Sequence, residues 1–221
     1  MGGFKNEANN VIIERGIFER IISHLHDCCI EMKNACQRDG NCLSDHEDKI
    51  TNRLYQYHLR YSQICGLRFI LQSPQAYDPE NDSFYGRADI QVESVDLFKN
   101  VDDYYLIECK RIDGTVALNK AYVSEGVARF VVHPPKYPSY HKRNIMLGYV
   151  VRSIDVEANS KNIADIQIKT LKEMAVDAFD LVSKAAEEFY RYFCAYQSED
   201  VGKIDLTHLF YDFSSVVERT K

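Results

Sequence analysis

The chain of 221 residues is 45% hydrophobic and 27% charged, a composition with enough apolar side chains for one substantial core and without an apolar run of about 18 residues that would span a membrane. Its seven cysteines lie within apolar patterns, and its first residues lack a secretion signal, so we expect free thiols in the reducing cytoplasm. The net charge of −6 excludes a protein that coats nucleic acid with a wholly basic surface, so any contact with DNA or RNA should use a local patch or a partner.

The first half of the chain predicts two helices and a hairpin. Apolar residues at helical spacing over 9–37 indicate an N-terminal helix, which the turn residues RDGN at 38–41 end. A second helix should begin near Ser44 or Asp45, its candidate N-caps. The segment 66–72 fits a short strand or a helix end, and 73–86 is rich in turn residues and predicts a loop. Strands are predicted over RADIQVESVDLF at 87–98 and YYLIECKRI at 104–112.

The second half predicts further helices and strands in alternation. A helix is indicated over 118–132, a loop with three prolines over 133–143, and an apolar strand over 144–154. The segment 160–196 has the longest helical periodicity, which predicts one long helix or two helices broken near Lys169 and Thr170. A late strand over 203–214 follows.

This order of elements predicts an α/β fold, with a mixed central β-sheet flanked by helices, an N-terminal helix and a long C-terminal helix. We expect residues 1–43 to form a helical extension and residues 44–221 to form a single compact domain.

A buried strand that ends in charged residues is the clearest chemical feature. In YLIECKRID, Glu108 and Lys110 are two residues apart and therefore share one face of the strand. Asp89 precedes Glu108 by 108 − 89 = 19 positions, which a hairpin can close. Two carboxylates and a backbone carbonyl suit a hard cation such as Mg²⁺ or Mn²⁺, and a lysine beside it can orient water. The alternative is a cross-strand salt bridge on a surface hairpin.

The pattern of Asp89 followed by Glu108-Cys109-Lys110 resembles the PD-(D/E)XK nuclease superfamily, which has the restriction-endonuclease-like fold. Nucleases of this kind often carry a further glutamate on the first core helix, for which Glu47 is the candidate and Asp48 the fallback. The first aspartate follows Ala88 here, not proline. The resemblance covers roughly residues 44–215 and extends to uncharacterised bacterial restriction-like proteins through a set of shared residues: Tyr122, Gly126, Arg129, Phe130, Tyr137, Gly148, Tyr149 and the segment THLFYDFS.

The resemblance implies a nuclease that hydrolyses DNA with Mg²⁺ or Mn²⁺. It assigns the metal to Asp89, Glu108, Glu47 and the backbone carbonyl of Cys109, and the positioning of the attacking water to Lys110. It also implies an effector of bacterial defence against phage. Two alternatives remain open: a non-catalytic or partner-regulated subunit, assembled with a protein partner or a second copy through helical segments, and an RNA or tRNA nuclease on the same fold.

Candidate contacts to nucleic acid follow the motif along the chain. Arg111 is a phosphate contact or a structural salt bridge. Tyr122 and Arg129 are seven residues apart on one helix face, where Arg129 could clamp a phosphate or form an internal ion pair. The loop 133–143 interleaves basic and aromatic residues, which suits a nucleic-acid backbone with stacked bases, although an ordinary solvated loop explains it too. Its members are Lys136, Lys142 and Arg143, with His133, Tyr137, Tyr140 and His141.

The N-terminal segment HLHDCC raises the question of a zinc site. His24 and Cys28 have the i, i+4 spacing of a helical metal pair, and Cys36 and Cys42 would complete four ligands. Because no C-x-x-C knuckle is present, we favour buried structural thiols.

Overall fold

A computed structural model describes residues 7–61, 64, 66–95, 104–132, 135–137, 141–172, 174–185, 189–198 and 202–218. The helices are α1 (Glu7–Asp39), α2 (Glu47–Leu54), α3 (Val116–Ala121), α4 (Ala128–Val131) and α5 (Val156–Thr170). A π-helical turn over Tyr55–Leu59 extends α2, and another over Tyr122–Val127 joins α3 to α4. The strands are β1 (Leu67–Asp78), β2 (Ser83–Ser94), β3 (Tyr104–Ile112), β4 (Arg143–Val150), β5 (Ala175–Val176), β6 (Asp180–Ala185), β7 (Phe189–Ser198) and β8 (Gly202–Asp212).

The described strands form one mixed sheet, as predicted. Its order is β1-β2-β3-β4-β8-β7-β5, and β6 also pairs with β7. The central strands β3, β4 and β8 are parallel, whereas the other pairings are antiparallel. The predicted mixed α/β architecture is therefore confirmed.

Helices cover both faces of the sheet. On one face, Ile107 and Ile145 share an apolar core with Phe18 and Leu25 of α1, so the N-terminal helix packs directly on the sheet. On the other face, residues of β3, β4 and β8 share a second core with the α3–α4 segment and α5, which includes Leu106, Met146, Phe210, Tyr122, Phe130 and Ile163. Alternate residues of β3 therefore belong to opposite layers.

The prediction of a long C-terminal helix is wrong. The helix α5 ends at Thr170, where a break was one of the two predictions, but strands β5, β6 and β7 follow it, and the last element is the strand β8. Strand β7 is buried on both faces, with Phe189 in one core and Tyr190 and Tyr192 in the other. Its apolar residues consequently do not alternate with polar ones, and a helical period fits them as well.

The predicted loop over 73–86 is also wrong. Strand β1 continues to Asp78 and β2 begins at Ser83, so only residues 79–82 form the turn. Pro74 is compatible with β1 because this strand lies at the edge of the sheet, where one side of the backbone needs no partner.

In the described parts of the chain, none of the helices is both long enough and apolar enough to cross a membrane.

Candidate active site

The candidate site lies where β2 and β3 separate. Their pairing ends at Ile90 and Ile107, and β3 continues beside β4 alone. One residue beyond the last pair, the Asp89 carboxylate accepts a hydrogen bond from the backbone N–H of Cys109, with Oδ2 and N 2.7 Å apart. The side chain of Asp89 thus replaces the missing strand partner of this N–H group, and it holds the carboxylate next to the Glu108-Cys109-Lys110 segment.

Lys110 makes three hydrogen bonds with its three N–H groups. Its Nζ lies 2.8 Å from Glu108 Oε1, 2.8 Å from Glu47 Oε1 and 2.9 Å from the carbonyl oxygen of Cys109. Glu47 is the first residue of α2, and its second oxygen accepts from the backbone N–H of Arg111 at 3.0 Å. Because Glu108 is 0% exposed and Lys110 is 7% exposed, this is a buried ion-pair network and not the surface salt bridge of the structural alternative.

Gly126 gives the Lys110 side chain its space. A Cβ atom at this position would lie 3.3 Å from Cγ of Lys110 and 2.6 Å from Cε of Met146. The absence of a side chain at Gly126 therefore lets the π-helical turn pack directly over β3.

The Glu108 carboxylate has partners on both oxygens. Arg129 approaches Oε1 through Nη1 at 3.2 Å, and the hydroxyl of Tyr137 lies 2.8 Å from Oε2. With Lys110 also on Oε1, two cations and one neutral hydroxyl surround a carboxylate that has no access to water. A buried charge is stable only when its oxygen atoms have hydrogen-bond and ion-pair partners of this kind.

The network contains two cations, Lys110 and Arg129, and three carboxylates, those of Asp89, Glu108 and Glu47. Burial, and to a smaller extent the neighbouring Asp89, raise the pKa of Glu108 to about 7 against the opposing charges of Lys110 and Arg129. Burial likewise raises the pKa of Asp89. Burial alone would lower the pKa of Lys110, but the charges of Glu108 and Glu47 prevail and raise it. The centre is therefore short of positive charge, which a bound divalent cation would supply.

The donor atoms suit Mg²⁺, which proteins often hold through one or two carboxylates while water and substrate phosphates complete its shell. Asp89, Glu108 and the carbonyl of Cys109 supply such oxygen atoms. Both oxygens of Glu47 and of Glu108 accept hydrogen bonds from the protein, and the Cys109 carbonyl accepts one from Lys110, so the metal-ligand roles of all of them stay predictions. Among the residues with described positions, no group of three or more His, Cys, Asp or Glu side chains is arranged to hold an ion. The fit therefore rests on two carboxylates and one carbonyl.

Tyr122, a predicted contact to nucleic acid, is buried and leaves no surface for such a contact. It is 0% exposed, and its hydroxyl shares a hydrogen bond with Nδ1 of His208 at 2.7 Å. Arg129, predicted to share its helix face, is instead 31% exposed at the side chain and forms the internal ion pair with Glu108. The π-helical turn between them is wider than an α-helical turn, so a separation of seven residues no longer returns to the same face.

The remaining basic candidates are dispersed. Arg111 forms the structural salt bridge of the two alternatives, with Nη1 2.6 Å from Asp45 Oδ1. Lys136 and Lys142 are exposed to solvent. Arg143 is partly exposed, and its guanidinium lies 3.9 Å from an Asp205 oxygen. Their contact with nucleic acid stays a prediction.

His141 of the loop 133–143 differs in environment from the lysines of this loop. His141 stacks on the ring of Tyr105, with ring centroids 4.5 Å apart, and its side chain is 7% exposed. His133 and Tyr140 lie outside the described residues.

The N-terminal cysteines pack in the core of the sheet. Cys28 and Cys36 are 6% and 3% exposed, as expected for structural thiols, whereas Cys42 is exposed. The Cys28 sulfur lies 3.3 Å from Nε2 of His24, and burial raises the pKa of Cys28 to about 12. Because zinc binds the thiolate, this environment disfavours a zinc ligand at Cys28.

Sequence reasoning did not assign Tyr137 or Asp45 to the site. The motif resemblance extends to Tyr137, and Tyr137 is also an aromatic member of the loop 133–143, but neither signal placed it beside Glu108. Asp45 was considered as a helix cap, but its carboxylate binds Arg111 and not the backbone of α2. Both roles depend on contacts between residues 29 and 66 positions apart along the chain.

The fold and the site together define an α/β protein with a mixed open sheet, in which a buried lysine–carboxylate network lies beside the parallel centre of the sheet. Comparison with protein-family models, with curated proteins and with solved structures finds no match to this chain. The likeness to the PD-(D/E)XK superfamily therefore remains a resemblance of motif.

Proposed function

We propose that this chain is a metal-dependent nuclease that hydrolyses phosphodiester bonds of DNA with Mg²⁺ or Mn²⁺. The observation that carries the proposal is the buried Lys110 ammonium, held by Glu108 and Glu47 beside a second strand that contributes Asp89. A protein gains little stability from burying so many charges, since apolar side chains of similar volume are often as stable or more so. A chemical role accounts for an arrangement that stability alone does not.

Each residue has a distinct role in the proposed reaction. Asp89, Glu108 and the Cys109 carbonyl would hold the metal ion, which when bound polarises the phosphate and activates water. Glu47 holds Lys110 from the side of α2. Lys110 would position the attacking water for in-line displacement at phosphorus with the N–H group that is freed when the metal ion takes the Cys109 carbonyl or the Glu108 oxygen that this group now binds.

Arg129 can contact a phosphate without leaving Glu108. In the described contacts, it donates only through Nη1, to Glu108, to the hydroxyl of Tyr137 and to the carbonyl of Arg87. A guanidinium has five N–H donors in a planar fork, and the side chain of Arg129 is 31% exposed. Its remaining N–H groups are therefore suited to a non-bridging oxygen of the substrate phosphate.

The biological setting follows from the resemblance alone. The resemblance to bacterial restriction-like proteins implies the cytoplasm of a bacterium, and we propose for this chain the role of an effector of defence against phage. RNA or tRNA as the substrate is the alternative that the cleavage experiment below separates.

A second candidate function is that of a non-catalytic or partner-regulated subunit. The observation that favours it is that both oxygens of Glu47 and of Glu108 already accept hydrogen bonds from the protein. Because Lys110 and Arg129 both occupy Oε1 of Glu108, an ion would reach that oxygen only after one of them moves. Size-exclusion chromatography with light scattering, alone and with the products of neighbouring genes, tests this candidate, because a strict monomer that cleaves unaided needs no partner.

The direct test is cleavage by the purified chain. Supercoiled plasmid, single-stranded DNA and tRNA are incubated with Mg²⁺ or Mn²⁺, and with a chelator as the metal-free control. We expect cleavage of DNA that stops with the chelator and falls at least about 100-fold in Asp89→Ala and in Lys110→Ala, the range for removal of groups that act in the transition state.

The matched control is Glu93→Gln, which also removes a carboxylate from β2 but at the ion pair with Arg68, away from the site. It should cleave at the wild-type rate. Undiminished cleavage by Asp89→Ala or Lys110→Ala would contradict the site. A folded wild-type chain that cleaves none of the three substrates would contradict the function.

A further inference from the structure

Tyr137 reaches the site from the segment between α4 and β4. Its side chain is 1% exposed, and its backbone N–H donates to the carbonyl of Arg129 at 3.0 Å. The ring meets Phe130 edge-on with centroids 5.1 Å apart, and the Arg129 guanidinium lies 5.5 Å from the ring centroid. These contacts fix the ring, and they therefore also fix the position of its hydroxyl.

The hydroxyl connects the two strands of the site. It lies 2.8 Å from Glu108 Oε2 on β3 and 2.5 Å from the carbonyl oxygen of Arg87 on β2, and it also contacts Nη1 of Arg129. A phenol carries one proton, so it donates to one of these two acceptors at a time. Arg87 is two residues before Asp89, on the part of β2 that no longer pairs with β3. Tyr137 therefore bridges the gap between the strands that carry the two carboxylates.

Gly86 allows this approach. A Cβ atom at Gly86 would lie 2.8 Å from Cε1 of Tyr137 and 3.1 Å from the carbonyl oxygen of Lys136. The second contact is with the backbone, which cannot move aside as a side chain can. Any other residue at position 86 would consequently displace the Tyr137 ring from this position.

We propose that Tyr137 is a positioning residue of the active site, whose hydroxyl holds the Glu108 carboxylate at a set distance from Asp89 and in the orientation that binds the metal ion. It acts through Glu108 and touches neither the ion nor the substrate. The inference rests on the proposed nuclease function for what Glu108 does, but not for how Glu108 is held. Partners of this kind around a metal ligand commonly change metal affinity 10- to 100-fold, as an order of magnitude, when removed.

The test compares Tyr137→Phe with Tyr196→Phe. Both substitutions remove one buried hydroxyl, but the hydroxyl of Tyr196 contacts Gln167 and His208 and not Glu108. Calorimetric titration with Mn²⁺ alone measures metal affinity without any activity. We expect an affinity loss of about 10-fold or more for Tyr137→Phe, no loss for Tyr196→Phe, and comparable decreases of Tm in both. Gly86→Ala should lower metal affinity in the same direction while it keeps the hydroxyl.

A second measurement needs neither metal nor substrate. The Tm of Tyr137→Phe, Glu108→Gln and the double variant is compared without divalent ions, and we expect the decrease caused by Tyr137→Phe to fall by at least about half in the Glu108→Gln background, because the two groups share one hydrogen bond. Additive decreases together with unchanged Mn²⁺ affinity would overturn the inference. If the wild type binds no Mn²⁺ and cleaves nothing, the nuclease proposal fails, and the Tm cycle alone decides whether Tyr137 holds Glu108.

Discussion

His208 should make the folded protein less stable in mild acid. It is 0% exposed on β8, where its Nδ1 shares a hydrogen bond with the hydroxyl of Tyr122, and the ring of Phe179 lies edge-on with centroids 4.6 Å apart. Burial lowers the pKa of His208 to about 3. The folded protein therefore keeps this imidazole neutral at every pH at which the unfolded chain would begin to protonate it.

The size of the effect follows from linkage. A histidine in the unfolded chain titrates near pH 6.5, so below this pH the unfolded state binds a proton that the folded state does not, and stability falls as the pH falls. At about pH 5 the loss attributable to His208 is about 2 kcal/mol, and a native pKa higher by about one unit leaves this value almost unchanged. The loss continues at about 1.4 kcal/mol per pH unit and levels off below the folded pKa of about 3.

Urea unfolding of the wild type and of His208→Asn measures this contribution. The asparagine keeps a polar partner near the hydroxyl of Tyr122, although the smaller side chain lowers stability at every pH. Between about pH 7.5 and about pH 5, the variant should lose about 2 kcal/mol less than the wild type, because the other titrating groups contribute equally to both proteins and cancel. Equal losses in the two proteins would refute the reasoning, since His208 would then titrate as it does in the unfolded chain.

Three further predictions concern single substitutions. Gly126→Ala should displace the Lys110 side chain and lower the rate of DNA cleavage by about 100-fold in a protein that still folds, and a variant of normal rate would contradict this packing. A Cβ atom at Gly16 of α1 meets nothing within 4 Å, so Gly16→Ala should raise the free energy of unfolding by up to about 1 kcal/mol, and a destabilised variant would contradict the open surface described there. Arg191→Ala removes two contacts to Glu19, at 2.6 and 2.7 Å, that join β7 to α1. Because the Glu19 side chain is 45% exposed, the free energy of unfolding should fall by about 1 kcal/mol at low salt and by less at high salt. A loss in urea unfolding that does not depend on salt would show that packing, and not charge, accounts for it.

The amino-acid sequence by itself determined the features that depend on near neighbours. The apolar run before Glu108 predicts a buried strand, and the period of two residues puts Glu108 and Lys110 on one face. The spacing from Asp89 leaves room for a hairpin, and in the structure β2 and β3 pair as its two arms. The helical period also predicted α1, α2 and the helix after the motif. In each case the pattern repeats within a few residues, so it is visible without knowledge of the fold.

Only the tertiary structure decided the features that depend on distant residues. The segment after Thr170 has apolar positions that a helix would match, and it forms strands because β7 has a core on each face, between α1 and the α3–α5 layer. A π-helical turn separates the faces of Tyr122 and Arg129, and nothing in the local pattern indicates it. Lys110 is a neighbour of Glu108 on β3, but the other partners of Glu108 are remote, with Arg129 on α4 and Tyr137 in the segment between α4 and β4. Such contacts form only when the sheet and both helical layers have packed, because each side chain takes its final position from neighbours that are remote in the sequence.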